Sequence, residues 1–183
     1  MESQPIGLKR GTVKLKHYSS RWKQVYEKEE KLLLNTLGDS IVDIQHVGST
    51  SIPRVQAKPI IDIAVTVGSL KKVERHIKTL EGIGYKYKTD DDKQNRLFFT
   101  KGPESKRTHY LHIGTKRGDY VKDMVLFRDY LRKHEKAVKE YNKLKIALAK
   151  KFGKEREQYT EGKAEFVEKI VKIAKKRNKR ISG

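Results

Sequence analysis

The sequence predicts an α/β or α+β domain whose C-terminal half is helical. Short, β-branched and alternating segments fill residues 41–113, whereas apolar residues recur at helical spacing from Asp119 onward. A length of 183 residues suits one domain, so a single unit is expected over residues 1–183.

The balance of charges excludes an ordinary near-neutral protein. Lys and Arg total 43 against 23 Asp and Glu, which gives a formal net charge of +20. This excess favours polyanionic partners such as nucleotides, RNA or other phosphates. A lysine-rich solvated surface without a dedicated partner is the alternative, because such compositions also accompany adaptation to high temperature.

Cysteine is absent, which excludes disulfides, thiolate catalysis and cysteine metal sites. No stretch reaches the roughly 18 consecutive apolar residues that cross a bilayer, and residues 1–16 contain no apolar secretory segment. We therefore expect a cytoplasmic protein with no membrane partner.

The expected elements follow the hydrophobic pattern along the chain. Residues 1–12 are polar and predict a loose arm, and Trp22 to Leu37 predicts an amphipathic helix. Three helices are expected over residues 119–175, followed by a basic tail at residues 176–183. Strands are expected at residues 41–47, 60–67, 85–89, 96–101 and 108–113, with a helix after Ser69.

Residues 46–67 carry the features that indicate chemistry. One strand ends in Gly48-Ser49, and Asp62 follows inside a second strand that is otherwise almost wholly apolar. A lone carboxylate there is costly to desolvate, so it is expected at a strand end, beside a cation or at a ligand site. Gly48 allows close backbone approach, and Ser49 and Thr50 offer hydroxyl and N–H groups to phosphate.

Lys58 adds positive charge at the mouth of the second strand. A purely structural interpretation stays open at this point. In it, Gly48-Ser49 is a plain turn and Asp62 is half of a buried ion pair with Lys58.

Six separate segments carry a family resemblance: VGSTSIP at 47–53, AKPIIDI at 57–63, RLFFTKGP at 96–103, RTHYLHI at 107–113, LFRDYLRKH at 126–134 and YTEGKAEFV at 159–167. In this order they resemble the GrpB family, a branch of the nucleotidyltransferase-fold superfamily, over roughly residues 13–171. The resemblance implies a nucleotidyltransferase-like mixed β-sheet with flanking helices and a cleft at the Gly-Ser turn.

The resemblance also implies a reaction, metal-dependent nucleotidyl transfer from a nucleoside triphosphate to an acceptor that the sequence does not name. Gly48 and Ser49 match the turn that grips the triphosphate. Asp62 matches the first carboxylate for Mg²⁺ or Mn²⁺, so that Asp62 and Ser49 are the expected catalytic residues. Further contacts to nucleotide phosphates are expected from Thr50, Lys58, Arg96, Arg107 and Lys163.

One departure from the superfamily affects the expected metal site. The second carboxylate of its Asp-x-Asp pattern falls at Ala64, on the same strand face as Asp62. His112 is the candidate replacement ligand, because its segment occupies the place of a later acidic strand, whereas His109 would face the other way. A hydrogen-bonded structural imidazole is the alternative for each histidine.

Two other functions remain open at this stage. A non-catalytic nucleotide- or RNA-binding module of the same fold accords with both Ala64 and the charge of +20. A small phosphate-ester or cofactor enzyme is the third. The basic segment at residues 169–180 predicts either RNA contact through phosphates or a solvated helix end whose cations favour the helix dipole.

Overall fold

Five strands form one mixed sheet in the computed structural model, which describes residues 6–89 and 95–181. The sheet order is β1-β2-β5-β4-β3, in which β2 and β5 are parallel and the other neighbours are antiparallel. The predicted mixed α/β fold is confirmed. The strands are β1 Ile41–Val47, β2 Ile61–Val67, β3 Tyr85–Tyr87, β4 Arg96–Lys101 and β5 His109–Thr115.

Seven helices precede, interrupt or follow the strands along the described residues. The expected helix after Ser69 is divided into two short helices. At the C-terminal end, a short helix also precedes the last one, and Gly162 lies in the turn between them. A Cβ at Gly162 would lie 2.5 Å from Leu148 Cδ2, so this turn packs tightly against the helix that contains Leu148. The helices are α1 Arg21–Leu37, α2 Leu70–Glu74, α3 Ile77–Gly82, α4 Tyr120–Lys133, α5 Glu135–Lys151, α6 Arg156–Glu161 and α7 Ala164–Ile181.

The N-terminal arm is docked rather than loose, so the prediction for residues 1–12 is wrong where the structure describes them. Ile6 is buried, and the Gly7 N–H donates to the Pro59 carbonyl at 2.7 Å. Apolar burial and backbone pairing hold the segment, although its composition is polar overall. Residues 1–5 lie outside the described residues.

The basic C-terminal segment continues α7 to Ile181, so the predicted tail at 176–183 is helical as far as the description reaches. Its last two residues lie outside the described part. Lys175 pairs with Asp119 at 3.1 Å and with Asp123 at 2.7 Å. Part of the charge of this helix is therefore matched within the protein. No helix among the described residues has the length and apolar character needed to span a bilayer.

The two faces of the sheet pack against different parts of the chain. On one face, α1, α2 and α3 cover a large apolar core that includes Ile61, Ile63 and Leu111. On the other face, Ala64 packs with Val121 at the start of α4. Both faces of β2 are therefore covered, which explains its apolar sequence and makes its single carboxylate the exception.

Candidate functional site

The Gly-Ser turn and the in-strand carboxylate lie against each other. β1 and β2 are antiparallel neighbours with Val47 opposite Asp62, so the turn that follows β1 comes directly beside the carboxylate. Gly48 has a φ of +69°, and a Cβ added there would lie 2.2 Å from Asp62 Oδ2. Glycine alone permits both this backbone conformation and this approach.

In the turn, Ser49 is partly exposed and Thr50 is buried. Ser49 is half-buried at the start of a 3₁₀ helix, Ser49–Ser51, and its hydroxyl hydrogen-bonds with Tyr141 on α5. Burial raises the pKa of Tyr141 to about 12, and the Ser49 bond opposes part of that shift. Thr50 is buried, and its hydroxyl lies 3.0 Å from His46 Nε2. The Thr50 hydroxyl is thus used within the fold, and its expected phosphate contact stays a prediction.

Asp62 is ionised and partly open to solvent. Its side chain is 26% exposed despite its place in an apolar strand. Burial raises the pKa of this carboxyl, but His112, Lys58 and Arg156 outweigh burial, so the pKa of Asp62 lies below its ordinary value. The carboxylate is therefore negative at neutral pH and available to a ligand.

His112 lies beside Asp62 on the same face of the sheet. Its Nε2 is 3.5 Å from Asp62 Oδ1, and its Nδ1 is 2.6 Å from the hydroxyl of Tyr120 on α4. Because Asp62 is ionised, the favoured arrangement places a proton on Nε2, facing the carboxylate. His109 faces the opposite side of the sheet, because successive side chains alternate along β5. Its Nε2 lies 3.9 Å from Glu29 Oε2.

A group of cations faces the same carboxylate. Among the described residues, Asp62 is the one acidic group that raises the pKa of any of the three lysines in this group. Four basic side chains stand against one carboxylate, and an anion bound among them would favour their charged forms. We call these residues the cation cluster: Lys58 before β2, Lys145 on α5, Arg156 at the start of α6 and Lys163 in the turn between α6 and α7.

The lysines of the cation cluster are held at an electrostatic cost. Burial lowers the pKa of all three, and it brings the pKa of Lys163 to about 8. Mutual repulsion adds to this effect: Arg156 and Lys163 lower the pKa of Lys58 further, and Lys163 and Lys58 do the same to Lys145. An anion bound among them would relieve both burial and repulsion.

Aromatic rings and a backbone carbonyl hold the cations in place. The ammonium groups of Lys58 and Lys163 lie 5.3 and 4.5 Å from the centroid of the same ring, that of Tyr159. Lys145 packs 4.9 Å from the ring centroid of Tyr141. Its ammonium also donates to the Gln56 carbonyl.

Arg156 has the most available donors in the cation cluster. Its guanidinium lies 5.0 Å from the ring centroid of Tyr110, the residue opposite Asp62 on β5. Nη1 and Nη2 are buried, and neither makes a hydrogen bond of ordinary geometry to the described residues. Buried donors are seldom left unmatched, so this guanidinium is suited to a ligand that accepts hydrogen bonds.

The donors around Asp62 do not fit a metal ion that the protein holds by itself. Among the described residues, no three His, Asp or Glu side chains form a metal-binding group. Ala64, where the second carboxylate would stand, is 2% exposed and packs with Val47 and Val121. The Mg²⁺ or Mn²⁺ expected from the family resemblance stays a prediction, as does His112 as its ligand.

The family follows from a direct comparison. The family model described as "GrpB protein" matches residues 12–173. This chain belongs to the GrpB family. The glutamate-rich protein GrpB of Alkalihalophilus pseudofirmus is 38% identical over 170 residues, which cover 91% of this chain and 98% of that protein. The predicted family is confirmed.

Solved structures support the same assignment and the fold. The crystal structure of GrpB from Enterococcus faecalis superposes with a TM-score of 0.84 at 33% identity, over 90% of this chain and 99% of that chain. A structure of a mutant Cid1 poly(U) polymerase bound to MgATP has a TM-score of 0.52 at 14% identity, over 74% of this chain and 44% of that chain. At that identity the likeness shows the nucleotidyltransferase-like fold alone.

Two predicted phosphate ligands make other contacts in this GrpB-family chain. The Arg96 guanidinium lies 4.7 Å from the ring centroid of Tyr120, the residue that holds His112. Arg107 is 5% exposed, and its Nη1 donates to the Gly102 carbonyl at 2.6 Å. Arg107 thus stabilises its own loop, and the proposed phosphate contacts of both arginines stay predictions.

Sequence reasoning missed Lys145 and Arg156. Lys145 follows Tyr141 by one helical turn, so a charged residue interrupts the apolar face of α5, and that interruption is a detectable signal. Arg156 follows a loop and has no pattern of its own. Its place beside Tyr110 depends on how α6 docks against the sheet.

The contact between turn and carboxylate leads to a testable difference between two glycines. Gly38 and Gly48 both have positive φ, of +49° and +69°, but a Cβ at Gly38 would meet nothing within 4 Å. Gly38→Ala is expected to lose about 1–2 kcal/mol of unfolding free energy from backbone strain. Gly48→Ala is expected to lose about 1–3 kcal/mol more, because its Cβ would displace Asp62. Denaturant unfolding measures both, and equal losses would contradict the contact.

Proposed function

We propose that this GrpB-family chain binds a nucleoside triphosphate, with the phosphates between the Gly48-Ser49 turn and the cation cluster. One observation carries the proposal: four cations face a single carboxylate beside a glycine turn. Partly buried cations without matching anions are unfavourable. A polyphosphate supplies both the missing negative charge and the acceptors for charge-assisted hydrogen bonds.

The fold supports a nucleotide rather than a simple phosphate ion. A polymerase of similar fold has been crystallised with MgATP, and its fold is shared over 74% of this chain. The cation cluster supports the phosphate part of the proposal, and the likeness of fold supports the nucleoside part. Both considerations point to the same region, where the Gly48-Ser49 turn and the cation cluster meet the sheet.

Removing a cluster charge is expected to weaken nucleotide binding. Lys163→Met keeps the apolar stem but removes the ammonium. An affinity loss of about tenfold or more is expected, because charge-assisted hydrogen bonds contribute about 1.5–3 kcal/mol. Arg156→Gln is expected to behave similarly. Binding of ATP is measured by isothermal titration calorimetry at constant salt.

Lys143→Met is the matched control, because Lys143 is exposed on α5 and its substitution removes the same formal charge. Its affinity is expected to stay near that of the unchanged protein. If Lys143→Met and Lys163→Met weaken ATP equally, general charge attraction explains binding and the proposed site is wrong.

The affinity for ATP is expected to fall as pH rises from about 7 to about 9. Burial lowers the pKa of Lys163 to about 8, so its ammonium is charged below that pH and neutral above it. ATP binds better to the protein whose Lys163 is charged, so the affinity for ATP falls as the pH rises through about 8. In Lys163→Arg the cation persists, so the profile should become flatter. A profile unchanged by Lys163→Arg would exclude Lys163 as the titrating contact.

Nucleotidyl transfer is a second candidate function, favoured by one observation. Asp62 is ionised, partly exposed and in contact with the Gly-Ser turn, where the superfamily resemblance places its first catalytic carboxylate. In this reaction an acceptor hydroxyl or amine forms a bond to the α-phosphorus while the bond to the departing pyrophosphate breaks. Ser49, hydrogen-bonded to Tyr141, would help to hold the phosphates.

The transfer reaction is checked by pyrophosphate release from labelled nucleoside triphosphates with Mg²⁺ or Mn²⁺ present. If the chain is a transferase, Asp62→Asn is expected to abolish release, because the substitution removes the charge and keeps the shape. Absence of release from the unchanged protein, with ATP still bound, would leave the non-catalytic binding module as its function.

The remaining surface charge supports RNA or another polyanion as a partner. α7 carries a run of cations in its last turns, of which Lys175 already pairs with Asp119 and Asp123. Arg177 lies 5.5 Å from the ring centroid of Tyr130, so the exposed Lys172 and Lys176 are the better candidates for phosphate contact. Binding of this kind would weaken steeply with salt.

A further inference from the structure

We infer, resting on the proposed nucleotide binding, that the ligand of this site is the free polyphosphate anion and that the cation cluster takes the charge-neutralising role that a divalent metal has in other enzymes. The metal in nucleotidyl and phosphoryl transfer neutralises phosphate charge. Here the cation cluster performs that neutralisation with side chains of the protein.

The placement of the cations supports this assignment. Lys58, Lys145, Arg156 and Lys163 come from four separate segments, yet all act electrostatically on or with Asp62. They are not a solvated surface patch, because Lys145 is 1% exposed and the Nη atoms of Arg156 are buried beside the Tyr110 ring. An anion bound among these buried basic groups would favour their charged forms.

The face that would hold a metal is occupied by packing. Ala64 lies on the same face as Asp62, and its side chain is covered by Val47 and Val121. A carboxylate at position 64 would therefore stand in an apolar contact rather than in the cleft. The departure from the Asp-x-Asp pattern is built into how α4 docks, and it is more than the loss of one side chain.

The remaining donors also oppose a cation. Four positive groups near the Asp62 carboxylate would repel a metal ion. Magnesium prefers six oxygen ligands and releases its waters reluctantly, which makes a metal-complexed nucleotide bulkier and less negative than this cluster favours.

The test compares ATP binding in EDTA with ATP binding in saturating Mg²⁺, at equal ionic strength and with the full chain. Calorimetry is expected to show affinity about tenfold or more tighter in EDTA, because the free nucleotide keeps the charge that the cation cluster matches. Affinity that is equal or tighter in Mg²⁺ overturns the inference and leaves nucleotide binding standing. Binding in neither condition overturns the proposed function itself.

Two variants test whether the cation cluster causes the preference. Lys163→Met is expected to lose affinity mainly in EDTA and so to reduce the ratio between the two conditions. Lys143→Met, with the same change in net charge, is expected to keep the ratio. A ratio that survives Lys163→Met, in protein shown to be folded by circular dichroism, would overturn the role assigned to the cluster.

Discussion

One carboxylate in an apolar strand constrains the arrangement of this site. Asp62 stays ionised only because cations lie near it, and the turn can approach it only because residue 48 is glycine. Because Val47 is the register partner of Asp62, the turn that follows β1 comes directly against this carboxylate.

The charge imbalance around Asp62 gives the C-terminal half of the chain a role beyond packing. Lys145, Arg156 and Lys163 reach the sheet from α5, α6 and the turn before α7. Tyr159 is fully buried and carries two of the ammonium groups on its ring. The helices that complete the apolar core thus also bring these basic side chains to the sheet, so under the proposed function stability and anion affinity would oppose each other at the same residues.

Fold prediction succeeded where the signal was local. Alternating β-branched residues predicted β1 and β4 to the residue, and the apolar run of β2 reflects cover on both faces. The errors came from tertiary contacts. The arm at residues 6–12 looked loose because its composition is polar, but Ile6 reaches the core, and a Cβ at Gly162, where the last helices divide, would meet Leu148.

Local signals and tertiary contacts also account for different parts of the candidate site. Sequence alone determined the turn and carboxylate at Gly48 and Asp62, because their residue types are unusual for a strand and its end. The sequence showed that Ala64 lacks a carboxylate, but only α4 docking showed that an apolar contact fills its place. Lys145 and Arg156 joined the cleft only through folding, because charged helix residues many positions from Asp62 carry no local sign of the neighbour they will meet.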